Sequence, residues 1–171
     1  MNCITIKLTN NSIYALTDSE LLQQCNITED DATEDLISQL KNYLLASQQL
    51  FENKYNVVFG ENEFQSTFTL KNSPGVYIEK CPVTEITTPN IDILKNNTIT
   101  YIKLGNYSGD FTVNFKAGWK TADDVPNNVK QSLLMLVSYY YNNRDAQQDK
   151  QLYSPAFAIE SLMSNYLTQI Y

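Results

Sequence analysis

The hydrophobic period of this chain changes twice along its length. Up to about residue 56, and again after Pro126, apolar residues recur every three or four positions; between Phe64 and Lys116, β-branched and aromatic residues alternate with polar ones. The first spacing builds one face of a helix and the second builds one face of a strand, so neither an all-helical nor an all-β fold accommodates both. The pattern predicts an α+β chain, mainly helical with about four helices, carrying an antiparallel β segment inserted between the second and third helices. With 171 residues there is material for one core. The expectation is therefore a single domain over 1–171, helical across 14–56, β-rich across 64–117 and helical across 126–170. No internal repeat is visible.

Local signals place the elements. Thr17-Asp18-Ser19-Glu20 has the form of a capping box and predicts a short helix over about Asp18 to Cys25. Acids at Glu29, Asp30 and Asp31 suit the positive end of a second helix, roughly Asp31 to Lys54. Its stripe is Leu36, Ile37, Leu40, Tyr43, Leu44, Ser47, Leu50, Phe51 and Tyr55. Four or five strands are expected in the middle, with turns at Asn72-Ser73-Pro74-Gly75, Asn96-Asn97 and Asn106-Tyr107-Ser108-Gly109. Cys81-Pro82 and Thr88-Pro89 belong at strand ends or an edge, because proline cannot donate within a central ladder.

Pro126 suits the first position of a helix with Val129, Leu133, Leu136, Val137, Tyr140 and Arg144 on one face. Leu134, Met135, Tyr139 and Tyr141 make its other sides apolar too, so it is either central to the core or covered by a neighbouring chain. A polar loop over 145–151 follows. Ser154 and Pro155 then open a last helix whose stripe, Ile159, Leu162, Met163, Tyr166, Leu167 and Ile170, runs to the end of the chain.

The residue inventory excludes most catalytic chemistry. There is no histidine, so Ser-His, Cys-His and zinc-His mechanisms lack their base or ligand. Cys3, Cys25 and Cys81 are too far apart for a zinc knuckle or a disulfide framework and read as buried or incidental thiols of a reducing compartment. No phosphate-binding loop or dinucleotide fingerprint occurs among the five glycines. Asp123-Asp124 and the run Glu29-Asp30-Asp31-Glu34-Asp35 read as charge matched to helix starts rather than as an acid-base pair or a calcium loop. No cofactor and no metal are expected.

Twelve basic residues stand against nineteen acidic ones, a formal charge of −7, with Arg144 the only arginine. That is not the electrostatic footprint of a protein that grips nucleic acid. Tyr139-Tyr140-Tyr141 cannot form one stacking platform, since adjacent helical positions point about 100° apart. The N-terminus alternates polar and apolar residues and lacks the apolar run of a signal peptide or membrane span, so a soluble, unprocessed protein is expected.

The order of these pieces resembles the head-to-tail connector family of long-tailed bacteriophages, the adaptor or head-completion proteins. The residues that carry the resemblance begin with Leu16-Thr17-Asp18-Ser19-Glu20-Leu21-Leu22 and Ile27-Thr28-Glu29-Asp30-Asp31. They continue through Phe115-Lys116-Ala117-Gly118-Trp119, Val125-Pro126 and the apolar helix into Tyr140-Tyr141-Asn142-Asn143-Arg144-Asp145, and end at Ser154-Pro155. It spans about residues 14 to 167, with a middle segment longer and more strand-rich than in compact members.

The resemblance implies a non-enzymatic virion protein of the neck, made in the host cytoplasm. It further implies a homo-oligomeric ring of about 12 copies below the portal protein, joined to the next neck or tail component and leaving a channel for the genome, with no membrane involved. On that reading Leu162, Tyr166, Leu167, Ile170 and Tyr171 are candidates for portal docking, and Tyr139 with Arg144 for a subunit interface. The alternatives are a small nucleic-acid processing or packaging factor, and an enzyme using Asp123 and Asp124.

Overall fold

The computed structural model of the protein describes residues 2–89, 91–96, 98–143 and 155–166. These described residues are α+β: four α-helices and a five-stranded antiparallel sheet, with the long strand segment between the second and third helices. Among the described residues, 2–13 and 55–120 form a sheet unit, while 14–54 and the residues from 121 onward form a helical unit.

The sheet unit contains β1 (Asn2–Lys7), β2 (Asn62–Ile78), β3 (Val83–Ile86), β4 (Asp92–Lys95) and β5 (Thr100–Ala117). The order is β1-β2-β5-β3, with β4 also paired to β5. Alternation decides which side chains go inward: Phe64, Phe68, Leu70, Val76 and Ile78 of β2 and Ile102, Val113, Phe115 and Ala117 of β5 are buried in one cluster. Phe64 stacks on Phe115 with centroids 5.5 Å apart. On the opposite, solvent-facing side three cross-strand pairs hydrogen-bond: Gln65 Nε2 donates to Asn114 Oδ1, the Thr67 and Thr112 hydroxyls meet at 3.0 Å, and Thr69 Oγ1 donates to Asp110 Oδ1.

Two of the expected turns are not turns. Asn72-Ser73-Pro74-Gly75 lies inside β2 and Asn106-Tyr107-Ser108-Gly109 inside β5, opposite each other, where the pairing shifts register twice between Leu70 and Gly75. Positive φ at Asn72, Gly105, Asn106 and Gly109 makes them bulges that bend paired strands instead of ending them. Ile78 and Val83 are five residues apart and so within roughly 18 Å, yet they pair with Thr100 and Ala117, which a straight β5 would separate by about 56 Å. The ribbon is therefore folded over at the bulges, and both halves close on one core. At Gly75 a Cβ would lie 2.2 Å from the Ile102 carbonyl oxygen, so the bend needs glycine there.

The N-terminal alternation forms a strand that adds to the sheet as β1, beyond the segment where the sequence located strands. The chain leaving it is held by the buried Asn62 side chain, which accepts the Asn11 amide at 2.6 Å and donates to the Asn11 and Gly60 carbonyls at 2.8 Å each. The Asn96 side chain organises the β4–β5 turn by accepting the amides of Thr98 and Ile99. Pro82 and Pro89 flank β3, an outer strand, as expected of residues without an N–H.

In the helical unit, α1 (Asp18–Gln24) starts with the expected reciprocal box, Glu20 accepting the Thr17 amide at 2.7 Å and Thr17 Oγ1 accepting the Glu20 amide at 3.3 Å. The second helix starts later than expected: Glu29–Asp31 closes as a 3-10 turn, and α2 (Glu34–Tyr55) begins after it, capped by Thr33 Oγ1 accepting the Leu36 amide. Leu40, Leu44, Ser47, Gln48, Phe51 and Tyr55 line its buried face, while Leu50 faces solvent. The Gln48 side chain is inside because it accepts the Ala15 amide at 3.1 Å.

In α3 (Asn127–Asn142) the residue Pro126 sits at the N-cap, one position before the first helical one, and Val129, Ser132, Leu133, Leu136 and Val137 are buried. The last helix is shorter than its stripe predicts. α4 (Ala156–Leu162) gives way to a 3-10 turn over Ser164–Tyr166, although Ile159, Met163 and Tyr166 are buried as the stripe requires. The Asn128 amide ties this segment to α3 by donating to the Leu162 carbonyl at 2.8 Å. Ser154 and the loop over 145–151 lie outside the described residues.

The capping box makes α1 sensitive to acid. Burial raises the Glu20 pKa, but its bonds from the Thr17 amide and hydroxyl and the charge of Lys130 outweigh burial, and the net value is below an ordinary glutamate. A carboxylate depressed in the folded state stabilises it above the unfolded pKa and loses that contribution as pH falls through the folded value. Glu20→Gln is expected to flatten the acid limb of helix loss below about pH 4.5, measured by far-UV circular dichroism against pH.

Candidate functional site

Two of the acids singled out in the sequence, Asp31 and Asp124, are engaged in local turns. Asp124 Oδ2 accepts the Thr121 amide and hydroxyl at 3.0 and 2.9 Å, closing the 3-10 turn Ala122–Asp124 ahead of α3. Asp31 Oδ2 accepts the Thr28 hydroxyl at 2.6 Å in the turn ahead of α2. Among the described residues no group of three or more cysteine and acidic side chains is placed to hold a metal ion.

Cys3 and Cys25 are half-buried and Cys81 is buried. Burial pushes the Cys81 thiol up to about 12 against a smaller opposing pull from Lys80. Burial also raises Cys3, partly offset by its Thr5 contact. Such thiols are protonated and poor nucleophiles at neutral pH. One surface groove is lined by Asn72, Ser73 and Pro74 with Lys71, and another by Gln23, Gln24 and Asn26 with Glu20, so each has a single charged side chain. No helix of the described residues is long and apolar enough to cross a membrane.

The remaining sequence candidates are apolar and aromatic side chains of α3 and the C-terminal segment. Tyr139 is half-buried, its ring 6.1 Å from that of Tyr140, which in turn packs 6.1 Å from Tyr43 of α2. Leu162 is half-buried at the end of α4, and Tyr166 is buried. Leu167, Ile170, Tyr171 and Arg144 lie outside the described residues.

Sequence reasoning missed two exposed apolar features. Phe157 on α4 is 85% exposed. Its position beside Ile159 and Met163 was legible, because it falls off their three-and-four spacing. Along β1, Ile4 and Ile6 are 67% and 53% exposed, and Leu8 just beyond is 54% exposed. Their alternation was visible too, but only placement of β1 at the sheet edge turns it into a surface.

No protein-family model matches the chain, and no curated protein matches it by sequence. Solved structures do. A chain in the virion of a native gene transfer agent particle superposes with a TM-score of 0.71 at 16% identity, covering 95% of this chain and 94% of that one. A chain in the neck of an empty gene transfer agent particle, computed with C6 symmetry, gives 0.68 at 16% identity over 95% and 94%. A chain in the neck of the native particle, computed with C12 symmetry, gives 0.59 at 17% identity over 93% and 94%. At these identities the likeness establishes a shared fold along nearly the whole chain.

Proposed function

We propose that the protein is a structural component of the neck of a phage-like particle. About 12 copies form a ring below the portal, join the capsid to the next neck or tail component, and surround the channel through which the genome passes. The single observation that supports this reading is the near full-length match to chains in particle necks computed with C6 and C12 symmetry. The order of sequence motifs points to the same connector family, and the virion neck follows as the location.

Charge is consistent with a conduit. At −7, with one arginine, the surface has little hold on phosphate, and a duplex that must move through a ring is served by weak contact with its wall. For the portal-facing contact we assign the C-terminal segment, Leu162, Tyr166, Leu167, Ile170 and Tyr171. Tyr139 and Arg144 are assigned to the contact between copies. Phe157 supports the first assignment by exposing an aromatic ring on the same helix as Leu162.

The test is imaging of particles that carry the full chain and, separately, a chain truncated after Asn165. The full chain is expected in a ring of about 12 copies under the portal, and the truncated chain is expected to be absent from it. Particles whose neck lacks the full chain, together with salt-dependent binding of the purified protein to duplex DNA, would overturn this reading in favour of a packaging factor.

A further inference from the structure

We propose that the free edge of β1 is a strand-addition site that takes β4 of a second copy of this chain, closing the ring by main-chain hydrogen bonds. The choice of a second copy rests on the neck reading above; the edge itself does not.

The edge is open in a definable way. Leu8 N–H donates to the Glu63 carbonyl at 2.8 Å, and the register runs Lys7↔Phe64 through Asn2↔Thr69 without a shift. Antiparallel strands direct both main-chain groups of alternate residues to the same side, so Leu8, Ile6, Ile4 and Asn2 face β2. The N–H and C=O groups of Cys3, Thr5 and Lys7 face away, and β1 pairs with no other strand among the described residues. Monomeric proteins blunt such an edge with proline, bulges or several charges; β1 has no proline and no bulge, and its one charge is Lys7 at the end. Beside these groups stand the exposed Ile4 and Ile6.

The same chain carries an unlike edge to match it. Asn96 N–H donates to the Ile99 carbonyl, which fixes the alternation in β4: Leu94 and Asp92 bond to β5, while Ile93 and Lys95 turn their main-chain groups outward. All four residues of β4 are exposed, Leu94 by 54%. Pairing the two edges joins odd residues of β1 to Ile93 and Lys95. Parity then places Leu94 opposite Ile4 or Ile6 in either antiparallel register that uses both outward residues of β4. Two different edges meeting head to tail are what a cyclic ring requires, whereas β1 meeting β1 would stop at a two-fold dimer.

The experiment is mass measurement of the full chain by light scattering over a wide concentration range. The unmodified chain is expected to assemble. Thr5→Pro removes an N–H that β2 does not use, and it is expected to raise the assembly midpoint by at least about ten-fold, the equivalent of one or two main-chain bonds. Thr5→Val, which loses the hydroxyl contacts to Ser66 at 2.7 Å and to Cys3 Sγ at 3.7 Å but keeps the outward N–H, is expected to assemble as the unmodified chain does. Leu94→Asp, on the other edge at an exposed position, is expected to act like Thr5→Pro and decides the matter if the proline variant does not fold.

Assembly unchanged in Thr5→Pro and Leu94→Asp, an unmodified chain that stays monomeric, or particles that stop at dimers would each overturn the pairing. A chain that is nevertheless found in particle necks would keep its neck role and lose this contact, so the two readings fail separately.

Discussion

A Gly118→Ala variant is expected to lose at least about 3 kcal/mol of stability, lowering the melting temperature by roughly 6–12 °C in a chain of this size. Two costs add at this residue. Its φ of +119° is one that L-residues rarely adopt, and a Cβ there would lie 2.3 Å from the Gly60 carbonyl oxygen and 2.9 Å from its carbon. Those atoms are backbone and cannot swing aside. They are also fixed from both directions, because Gly118 N–H donates to the Pro82 carbonyl, Trp119 N–H to the Val58 carbonyl and Gly60 N–H to the Trp119 carbonyl. Gly105→Ala is the matching control: φ is +62° there, but nothing lies within 4 Å of the added carbon, so only the conformational part, about 1–2 kcal/mol, is expected. Thermal unfolding of the two variants side by side separates clash from torsion; equal losses would show that the close approach of Gly60 and Gly118 has no energetic weight.

Phe115→Ala is expected to cost about 3–5 kcal/mol in urea unfolding. The ring is 1% exposed, stacks on Phe64, and sits where β5 is flanked by β2 on one side and β3 on the other. Thr112→Ala, three residues earlier on the solvent-facing side, removes one hydroxyl pair with Thr67 and is expected to change stability by no more than about 0.5 kcal/mol. A small loss at Phe115 would mean that the inward face of the folded ribbon collapses around a void, contrary to the close-packed cluster described here.

How much of this was readable beforehand depends on the range of the signal. The Thr17–Glu20 box, the buried face of α2 and the strand alternation are short-range, and they placed elements correctly. Thr33 as the true start of α2 was masked by the acids at Glu29–Asp31, which satisfy the same electrostatic rule one turn earlier. The residues Asn72–Gly75 and Asn106–Gly109 have turn chemistry, and they do adopt left-handed or kinked backbone. Whether such residues end a strand or bend it is decided by their pairing across the ribbon, which no local window contains. The surface features divide the same way. The apolar stripe of the last helix was legible, while the open edge at β1 depends on which strand becomes outermost, a property of topology alone.

The folded ribbon also sets an order of events during synthesis. β5 is the central strand that β2, β3 and β4 all pair with, and it is the last of the five to leave the ribosome. At typical elongation speeds of about 5–20 residues per second, β1 and β2 wait seconds for Ala117 to emerge, with Phe64 and Phe68, the inward phenylalanines of β2, uncovered meanwhile. A nascent chain stalled before Thr100 is thus expected to engage a chaperone, and one stalled well beyond Ala117 to be released from it.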